Sequence, residues 1–259
     1  WGEGIKEIGD YAFGNCSSLE QKLILPDGIA GIGEGAFYFC EKLQGAELPK
    51  SLNVIGKQAF YNCTGMKGEL RIPGTVSEVK DNAFAYCKGF TSLVLEDGIQ
   101  TIGESCFYSC SGMRGTLTMP DSIHSVGNSA FSGCIGFAGL RLSEELEKIA
   151  PNTFSACTGI QGEVVIPDKA SSVGYYAFYG CKNITDVTVG ANVQKMNEIT
   201  GYYYYSSFEG CSALKTIRFK GLTPPDLCRY TSIFTTLPAL ETIYVPAGAW
   251  KAYSDSYGN

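Results

Sequence analysis

The stretch Ala59-Phe60-Tyr61-Asn62-Cys63 recurs, with small substitutions, from one end of the chain to the other. Its cysteine returns at steps of 24, 23, 24, 23, 24, 23, 24 and 30 residues. A period that constant, between about 20 and 50 residues, is typical of a solenoid, in which one supersecondary unit stacks on the next. The chain therefore predicts one coil per repeat. The recurring cysteines are Cys16, Cys40, Cys63, Cys87, Cys110, Cys134, Cys157, Cys181 and Cys211.

The repeats divide the 259 residues into coils of one continuous solenoid, because each repeat contacts only its neighbours. We expect about ten coils in a single domain. Atypical units at the two ends are how solenoids close their open apolar faces. The predicted division is residues 1–259 as the solenoid, with 1–18 as a partial first coil, 19–211 as regular coils, 198–205 as a Tyr-rich insertion and 212–259 as a degenerate C-terminal coil and cap.

Each repeat carries two apolar segments in addition to its signature. In Leu70-Arg71-Ile72 the apolar residues alternate with a polar one, which indicates a strand with one buried face. Pro73 ends this strand, since proline has no N–H to continue a ladder. We expect the strands of successive coils to pair in parallel. The i, i+3 spacing of Phe60 and Cys63 predicts a single helical turn that directs both side chains inward.

A glycine follows the second apolar segment in six of nine coils, whereas Lys80, Ala150 and Asn197 replace it in the others. A position that accepts other residues does not demand a left-handed backbone, so we attribute the glycines to close packing. The six are Gly9, Gly33, Gly56, Gly103, Gly127 and Gly174.

The regularly spaced cysteines admit three interpretations: a metal site, disulfides, or a ladder of unpaired small side chains. Metal ligands cluster at short separations such as C-x-x-C, whereas these residues are one coil apart. Nine cysteines cannot all pair, and Leu237 takes the same position in the last coil. We therefore predict an unpaired structural ladder, since free cysteine behaves as a small hydrophobe. Cys106 replaces alanine and is interpreted in the same way, while Cys228 has no assigned role.

The repeat closely resembles the leucine-rich repeats of the BspA type, found in surface proteins of gut and oral bacteria and of some parasitic protists. The resemblance rests on Ile55-Gly56-x-x-Ala59-Phe60-x-x-Cys63 and its copies, on strands such as Leu23-Ile24-Leu25-Pro26, and on the closing Ile243-Tyr244-Val245-Pro246-Ala247-Gly248. It runs nearly end to end. The predicted fold class is an α/β repeat solenoid, a leucine-rich-repeat right-handed superhelix with short parallel strands and single-turn helices. The resemblance also implies an extracellular or cell-surface bacterial protein, and it supplies no catalytic motif.

Charge and composition disfavour two classes of partner. The chain has 20 basic and 26 acidic residues, a net charge of −6, and no Lys/Arg run that could neutralise phosphates. Nucleic acid and anionic membrane surfaces are therefore poor candidates. No apolar stretch approaches the roughly 18 residues of a membrane helix, so we expect no direct membrane insertion.

Two features that could indicate a dinucleotide site or catalysis are better explained by the repeat. Residues 31–36 satisfy G-x-G-x-x-A, yet they lie on the repeat and not in a strand-helix-strand unit. His124 is the only histidine and occupies a variable position, which indicates a solvated surface residue. Asp and Glu are scattered, and their surroundings single out no carboxylate pair. We expect no enzyme activity and no cofactor or metal, with a hydrolase as the weakest alternative.

The insertion departs from the repeat pattern, because Met196 and Phe208 are 12 residues apart instead of the usual five. Tyrosine is favoured at interfaces, so we predict that the inserted tyrosines form a contact surface together with those of the preceding coil. An equally simple alternative is that they cover the junction with the degenerate final coil. The candidate partner-binding residues are Tyr202, Tyr203, Tyr204, Tyr205, Tyr175, Tyr176 and Tyr179.

The function predicted from these features is recognition or adhesion by a non-catalytic module that binds a host or microbial protein or glycan. The alternative is a structural spacer, a repeat stalk within a larger surface protein. An exposed aromatic cluster favours the binder, whereas a spacer predicts a featureless surface. The outward positions of the strands show no aromatic stripe, so the strand side ranks second as a binding surface.

Overall fold

A computed structural model describes residues 4–198, 206–227, 234 and 236–257 of the chain. These residues form a parallel β-solenoid of about ten turns. We number each coil by its ladder cysteine, so the first contains Cys16 and the ninth Cys211. The elements in chain order are β1 (Glu7–Ile8), β2 (Leu23–Ile24), β3 (Gly31–Ile32), β4 (Ala46–Glu47), β5 (Val54–Ile55), β6 (Gly68–Ile72), β7 (Glu78–Val79), β8 (Phe90–Leu95), β9 (Thr101–Ile102), β10 (Gly115–Thr118), β11 (Ser125–Val126), β12 (Phe137–Arg141), β13 (Gln161–Val165), β14 (Ser172–Gly174), β15 (Asn183–Val189), β16 (Lys195–Glu198), β17 (Thr216–Phe219), β18 (Thr242–Tyr244) and α1 (Trp250–Tyr257).

Two sides of the solenoid are built from strands. On one side β1, β3, β5, β7, β9 and β11 form a six-stranded sheet, and β14 pairs with β16 further along. On the other side the pairs are β2 with β4, β6 with β8 and β10 with β12, followed by a four-stranded sheet of β13, β15, β17 and β18. Every pairing is parallel, as predicted. The right-handed sense of the superhelix stays a prediction.

The alternation within strands places the core between the two sides. Leu70 and Ile72 of β6 are fully buried, whereas Arg71 between them is exposed. Arg71 faces Val94 of β8 across the parallel register. The period-2 pattern therefore predicted both the strand and its buried face.

The third side consists of turns, and the predicted single-turn helix is wrong. We call the residues from the position after the repeat glycine to the ladder cysteine, such as 57–63, a turn segment. Gln58 and Asn62 have left-handed backbone angles, with φ of 54° and 57°. The amide of Cys63 bonds to the carbonyl of Phe60 at 3.2 Å, whereas the amide of Phe60 bonds to Ala83 of the next coil at 2.7 Å. Amides therefore alternate between closing a turn and joining two coils.

This alternation explains why turns replace a helix. The same three positions of each coil, from the first to the seventh, donate to the following coil; in the third coil they are Gln58, Phe60 and Asn62. An α-helix would satisfy these amides within one segment, and the coils would lose their lateral bonds. Within the described ranges the only α-helix is α1, and it is too short and too polar to span a membrane.

A column of phenylalanine rings fills the core behind the turn segments. Neighbouring rings stack with centroids 5.1 to 5.8 Å apart and interplanar angles of 0° to 17°. Offset stacking of this kind contributes beyond the apolar area it buries. The column comprises Phe13, Phe37, Phe60, Phe84, Phe107, Phe131, Phe154, Phe178 and Phe208.

The ladder cysteines are unpaired thiols in the structure. Cys16 is exposed and the other eight are buried. Each buried thiol donates to the carbonyl oxygen of the stacked phenylalanine in the preceding coil, at 3.0 to 3.2 Å. Cys106 is also free and buried, while Cys228 lies outside the described residues. The ladder thus contributes a hydrogen bond in addition to the apolar filling that the sequence indicated.

The repeat glycines follow the predicted close-packing rule. None of the six has a left-handed φ. A Cβ at Gly56 would lie 2.6 Å from the carbonyl carbon of Gly33 in the preceding coil, closer than real Cβ atoms approach backbone. A Cβ at Gly9, in the first coil, would meet nothing within 4 Å. The glycine therefore allows the preceding coil to pack closely, although Lys80, Ala150 and Asn197 show that a side chain can be accommodated at the same position in other coils.

The C-terminal part covers the ninth coil with aromatic residues. Helix α1 carries two of them, Tyr253 and Tyr257. The ring of Tyr253 lies 5.2 Å from that of Phe219, and its hydroxyl donates to the carbonyl of Gly221 at 2.8 Å. Tyr257 donates to the carbonyl of Pro225 at 2.6 Å. These contacts hold α1 against Phe219, the last residue of β17, and against the loop that follows it.

Candidate functional site

Three of the predicted binding residues gather on the turn segment of the eighth coil. The ring of Tyr176 lies 6.3 Å from that of Tyr175 and 4.6 Å from that of Tyr179. Tyr179 is 41% exposed, and the other two are half-buried. We call these three residues the Tyr179 cluster.

The backbone places Tyr176 outward in an unusual way. Its φ is 52°, a left-handed value that costs energy for a residue with a bulky side chain. Gln58 has the same conformation at the equivalent position of the third coil. The ladder of turns imposes this conformation, so an aromatic residue here is held by the stacking of coils and not by its own preference.

A buried polar pair holds both ends of the insertion beside this cluster. The amide of Ser207 donates to Oδ1 of Asn197 at 2.6 Å, and the amide of Asn197 donates to Oγ of Ser207 at 3.1 Å. The Ser207 hydroxyl lies 2.8 Å from the carbonyl oxygen of Gly174, the residue before Tyr175. Both residues of the pair are fully buried. The Asn197–Ser207 pair therefore fixes the base of the insertion against the eighth coil.

The inserted tyrosines Tyr202, Tyr203, Tyr204 and Tyr205 lie outside the described residues. The predicted contact between them and the Tyr179 cluster therefore stays a prediction. The buried pair is a feature that sequence reasoning missed. The sequence feature that could have revealed this pair is Asn197. It is the one asparagine at the repeat-glycine position, and it lies in the coil that carries the insertion.

A second group of tyrosines was missed on the same side of the solenoid. Its rings contact one another in succession, with centroid distances of 6.4, 5.3, 5.4 and 5.3 Å. We call this group the tyrosine row: Tyr11, Tyr38, Tyr61, Tyr86 and Tyr108. Tyr11 is 51% exposed and the others are half-buried. The row follows the turn segments of the first five coils.

Local contacts raise the pKa of two phenols of the row. The hydroxyl of Tyr11 donates to Oε1 of Glu34 at 2.8 Å, and this bond raises the pKa of Tyr11. Partial burial raises the pKa of Tyr61, and the neighbouring phenols Tyr86 and Tyr38 add to the shift. Tyr11 and Tyr61 therefore remain protonated at neutral pH.

The strand side carries a mixed set of outward residues. Arg71 pairs with Glu69 at 2.9 Å and with Glu96 at 3.4 Å. Arg218 lies over the ring of Tyr244, 5.0 Å from its centroid. Ion pairs between exposed groups contribute little to stability. In the described part of this side no row of aromatic rings forms.

The dinucleotide-like motif and the single histidine are ordinary parts of the repeat in the structure. Residues 31–36 begin in β3 and continue into a turn segment, so no helix N-terminus follows that could receive a pyrophosphate. His124 is half-buried, and its amide donates to the carbonyl of Gln100 at 3.1 Å. Over residues 4–198, 206–227, 234 and 236–257, no three His, Cys, Asp or Glu side chains gather closely enough to hold a metal ion.

Comparison with solved structures returns bacterial leucine-rich repeat proteins. A leucine-rich repeat protein from Bacteroides ovatus is 19% identical over 87% of this chain and 69% of its own, with a TM-score of 0.47. The T. pallidum leucine-rich repeat protein is 24% identical over 82% of this chain and 73% of its own, with a TM-score of 0.44. The pneumococcal vaccine antigen PcpA is 17% identical over 98% of this chain and 75% of its own, with a TM-score of 0.48. Among curated proteins there is no match.

The family comparison agrees with the repeat geometry. The family model described as BspA type leucine-rich repeat region matches residues 1–114 and 77–207, which together cover all the coils up to the ninth. The matched residues contain strands β1 to β16 and the first eight ladder cysteines with their turn segments. This chain therefore belongs to the BspA-type leucine-rich repeat family.

Proposed function

We propose that this chain is a non-catalytic recognition module of an exported or cell-surface bacterial protein, and that it binds a host or microbial protein or glycan. Membership of a repeat family supports a module of a surface protein. The Tyr179 cluster carries the proposal further, because an exposed group of rigid aromatic side chains is the usual centre of a protein interface.

The base of the insertion supports the same surface. The Asn197–Ser207 pair is buried and hydrogen-bonded to Gly174, so the loop between its members begins and ends next to Tyr175. A buried, satisfied polar pair specifies a unique local geometry. We infer that the insertion extends the Tyr179 cluster into one contact surface, and that its four tyrosines supply the additional rings.

The structural spacer is the second candidate function. It is favoured by ion pairs that join neighbouring coils, such as Lys22 with Glu47 at 2.5 Å and Lys42 with Glu20 at 2.6 Å. In these ion pairs the surface charges are neutralised by partners within the solenoid itself. A spacer would have no partner, and its tyrosines would only cover the junction with the last coil.

Replacement of Tyr203 and Tyr204 by serine distinguishes the two functions. The wild-type protein is tested on a glycan array and in pull-downs from host proteins, and the double variant is then tested against each partner found. Lost binding at unchanged thermal stability supports an interface. A melting temperature lower by several degrees with intact binding means that the tyrosines are structural.

A matched control is available on the strand side. Tyr244 is 52% exposed and belongs to β18, so its replacement by serine removes an exposed tyrosine without touching the turn segments. We expect Tyr244→Ser to retain binding of any partner that the double variant loses. Equal losses in the two variants would contradict the assignment of the site.

A further inference from the structure

The tyrosine row is a surface of the first five coils, at the opposite end of the regular repeats from the Tyr179 cluster. At about 4.8 Å per coil, its five rings extend over about 19 Å. The rings pack on the turn segments by their inner edges and keep their outer parts in solvent. Gly35 accommodates the first ring, since a Cβ at this position would lie 2.3 Å from Cε1 of Tyr11.

Most hydroxyl groups of the row have no partner in the described part of the protein. Tyr11 donates to Glu34, whereas the hydroxyls of Tyr38, Tyr61, Tyr86 and Tyr108 make no hydrogen bond there. A phenol oxygen accepts hydrogen bonds from N–H donors. The outer edge of the row therefore offers a line of acceptors.

Carboxylates border the row on one side. At the start of the turn segments stand Asp10, Glu34, Asp81 and Glu104, with Lys57 in the third coil. Just after the ladder cysteines stand Glu41 and Lys88. At the start of the turn segments four carboxylates stand beside one ammonium group, so this edge of the row has a negative potential that favours cationic partners.

The protein already places cations against two of its tyrosines. The ammonium group of Lys88 lies 5.9 Å from the centroid of Tyr86, which belongs to the row. The guanidinium of Arg218 lies 5.0 Å from that of Tyr244 on the strand side. Electrostatic attraction between a cation and a ring face accounts for both contacts.

We propose that the tyrosine row and its bordering carboxylates bind an extended cationic segment of a polypeptide, rich in arginine or lysine. This inference rests on the proposed recognition function and adds a second binding surface with a stated ligand chemistry. About 19 Å accommodates roughly six residues of extended chain. Basic side chains would donate to the phenol oxygens and carboxylates, and a cation would lie over a ring face only where that face is open, as Lys88 does at Tyr86.

A glycan fits the row less well. Sugar rings bind aromatic residues through open ring faces, but Tyr38 and Tyr61 stack on each other with an interplanar angle of 18°. Their exposed parts are edges and hydroxyl groups. An anionic polymer is repelled by the bordering carboxylates.

Binding of a fluorescent octa-arginine peptide tests the proposal, with a peptide of four Gly-Ser repeats as the neutral control. We expect octa-arginine to bind and the neutral peptide not to bind. The variant Tyr38→Ser/Tyr61→Ser/Tyr108→Ser keeps the net charge, and we expect it to weaken binding about tenfold or more because three phenol acceptors and the surface around them are lost. Unchanged affinity in this variant would overturn the proposal.

Two further variants separate the site from folding and from net charge. The variant Tyr38→Phe/Tyr61→Phe/Tyr108→Phe keeps the packing and removes three hydroxyls, so we expect a smaller loss of affinity at an unchanged melting temperature. Glu34→Gln/Glu104→Gln should weaken binding more than Glu144→Gln/Glu241→Gln, which removes the same charge from exposed positions outside the turn segments. Equal losses in the two charge variants would mean an unspecific field effect and would overturn the proposal.

The test is independent of the Tyr179 cluster. Tyr179→Ser should leave octa-arginine binding unchanged, because this residue lies outside the row. If octa-arginine fails to bind while a partner found in the glycan array or pull-down still requires Tyr203 and Tyr204, only the inference about the row fails. Displacement of octa-arginine by a neutral oligosaccharide would reassign the row to glycan and would also contradict the proposal.

Discussion

The thiol of Cys110 donates a hydrogen bond to the carbonyl oxygen of Phe84, one coil earlier, at 3.1 Å. The same carbonyl already accepts the amide of Cys87 within its own turn, so it serves as a double acceptor. The pairing ties each buried ladder cysteine to the phenylalanine column. It gives the cysteine a role that a purely apolar side chain of similar size does not have.

Replacement of Cys110 by alanine should lower the free energy of unfolding by about 1 to 2 kcal/mol, because a buried hydrogen bond is lost and a small cavity forms. Urea denaturation measures the change. The matched control is Cys16→Ala, in which the thiol is exposed, and we expect a change within about 0.5 kcal/mol. Equal effects of the two substitutions would show that the ladder contact contributes nothing.

Alkylation should distinguish the exposed ladder cysteine from the buried ones. In the native protein at neutral pH, iodoacetamide should modify Cys16 and leave the eight buried ladder cysteines and Cys106 unmodified. After denaturation without reductant, all of these thiols should react. Peptide mass mapping identifies each site. Four or more disulfides in the unreduced protein would contradict the unpaired ladder.

Alkaline pH should destabilise the solenoid through the same thiols. Burial raises the pKa of Cys40 and of Cys181 to about 12. A thiol in the unfolded chain ionises near pH 8.5, so the stabilisation is fully present below about pH 8.5 and is lost as the pH rises towards 12. Melting temperatures measured at about pH 7.5, 8.5 and 9.5 test this effect in a pH range in which most tyrosines are still protonated. The Cys40→Ala/Cys181→Ala variant should show a shallower decline, and an identical decline would exclude these thiols as its cause.

A methyl group at the repeat-glycine position should cost more stability in the third coil than in the first. Gly56→Ala brings a Cβ to 2.6 Å from the backbone of Gly33, and we expect a loss of about 1 to 3 kcal/mol in unfolding free energy. Gly9→Ala is the matched control, because the same repeat position has open space in the first coil. Thermal denaturation of both variants gives the comparison, and a stable Gly56→Ala protein would contradict the packing role.

The repeat period, the strands and the buried faces could be predicted because they follow from local alternation and spacing. The conformation of the turn segment could not be predicted, because an i, i+3 spacing such as that of Phe60 and Cys63 occurs both in a helix and in two successive turns. What decides between them is the partner of each amide. The amide of Phe60 bonds to Ala83, a contact between coils that no local pattern records.

The tyrosine row escaped prediction for a related reason. Tyr61 follows its phenylalanine by one residue, whereas Tyr86 follows its own by two, so the aligned repeats place them in different columns. Tyr86 has a φ of 63°, a left-handed conformation that turns its ring back beside that of Tyr61. Only the backbone shows that the two columns form one row.

The lateral bonds of the turn segments all have the same direction. In each coil the amides, such as that of Phe37, point towards the next coil, and the carbonyls that accept them, such as that of Ala59, point back. The dipoles of these peptide units therefore add along the axis of the solenoid. In an α-helix the amides point towards the N-terminus, whereas here they point towards the C-terminal coils, so the sense is reversed. The end of the molecule that carries Tyr11 is the negative pole of this array and favours cations, and the end that carries Cys211 favours anions.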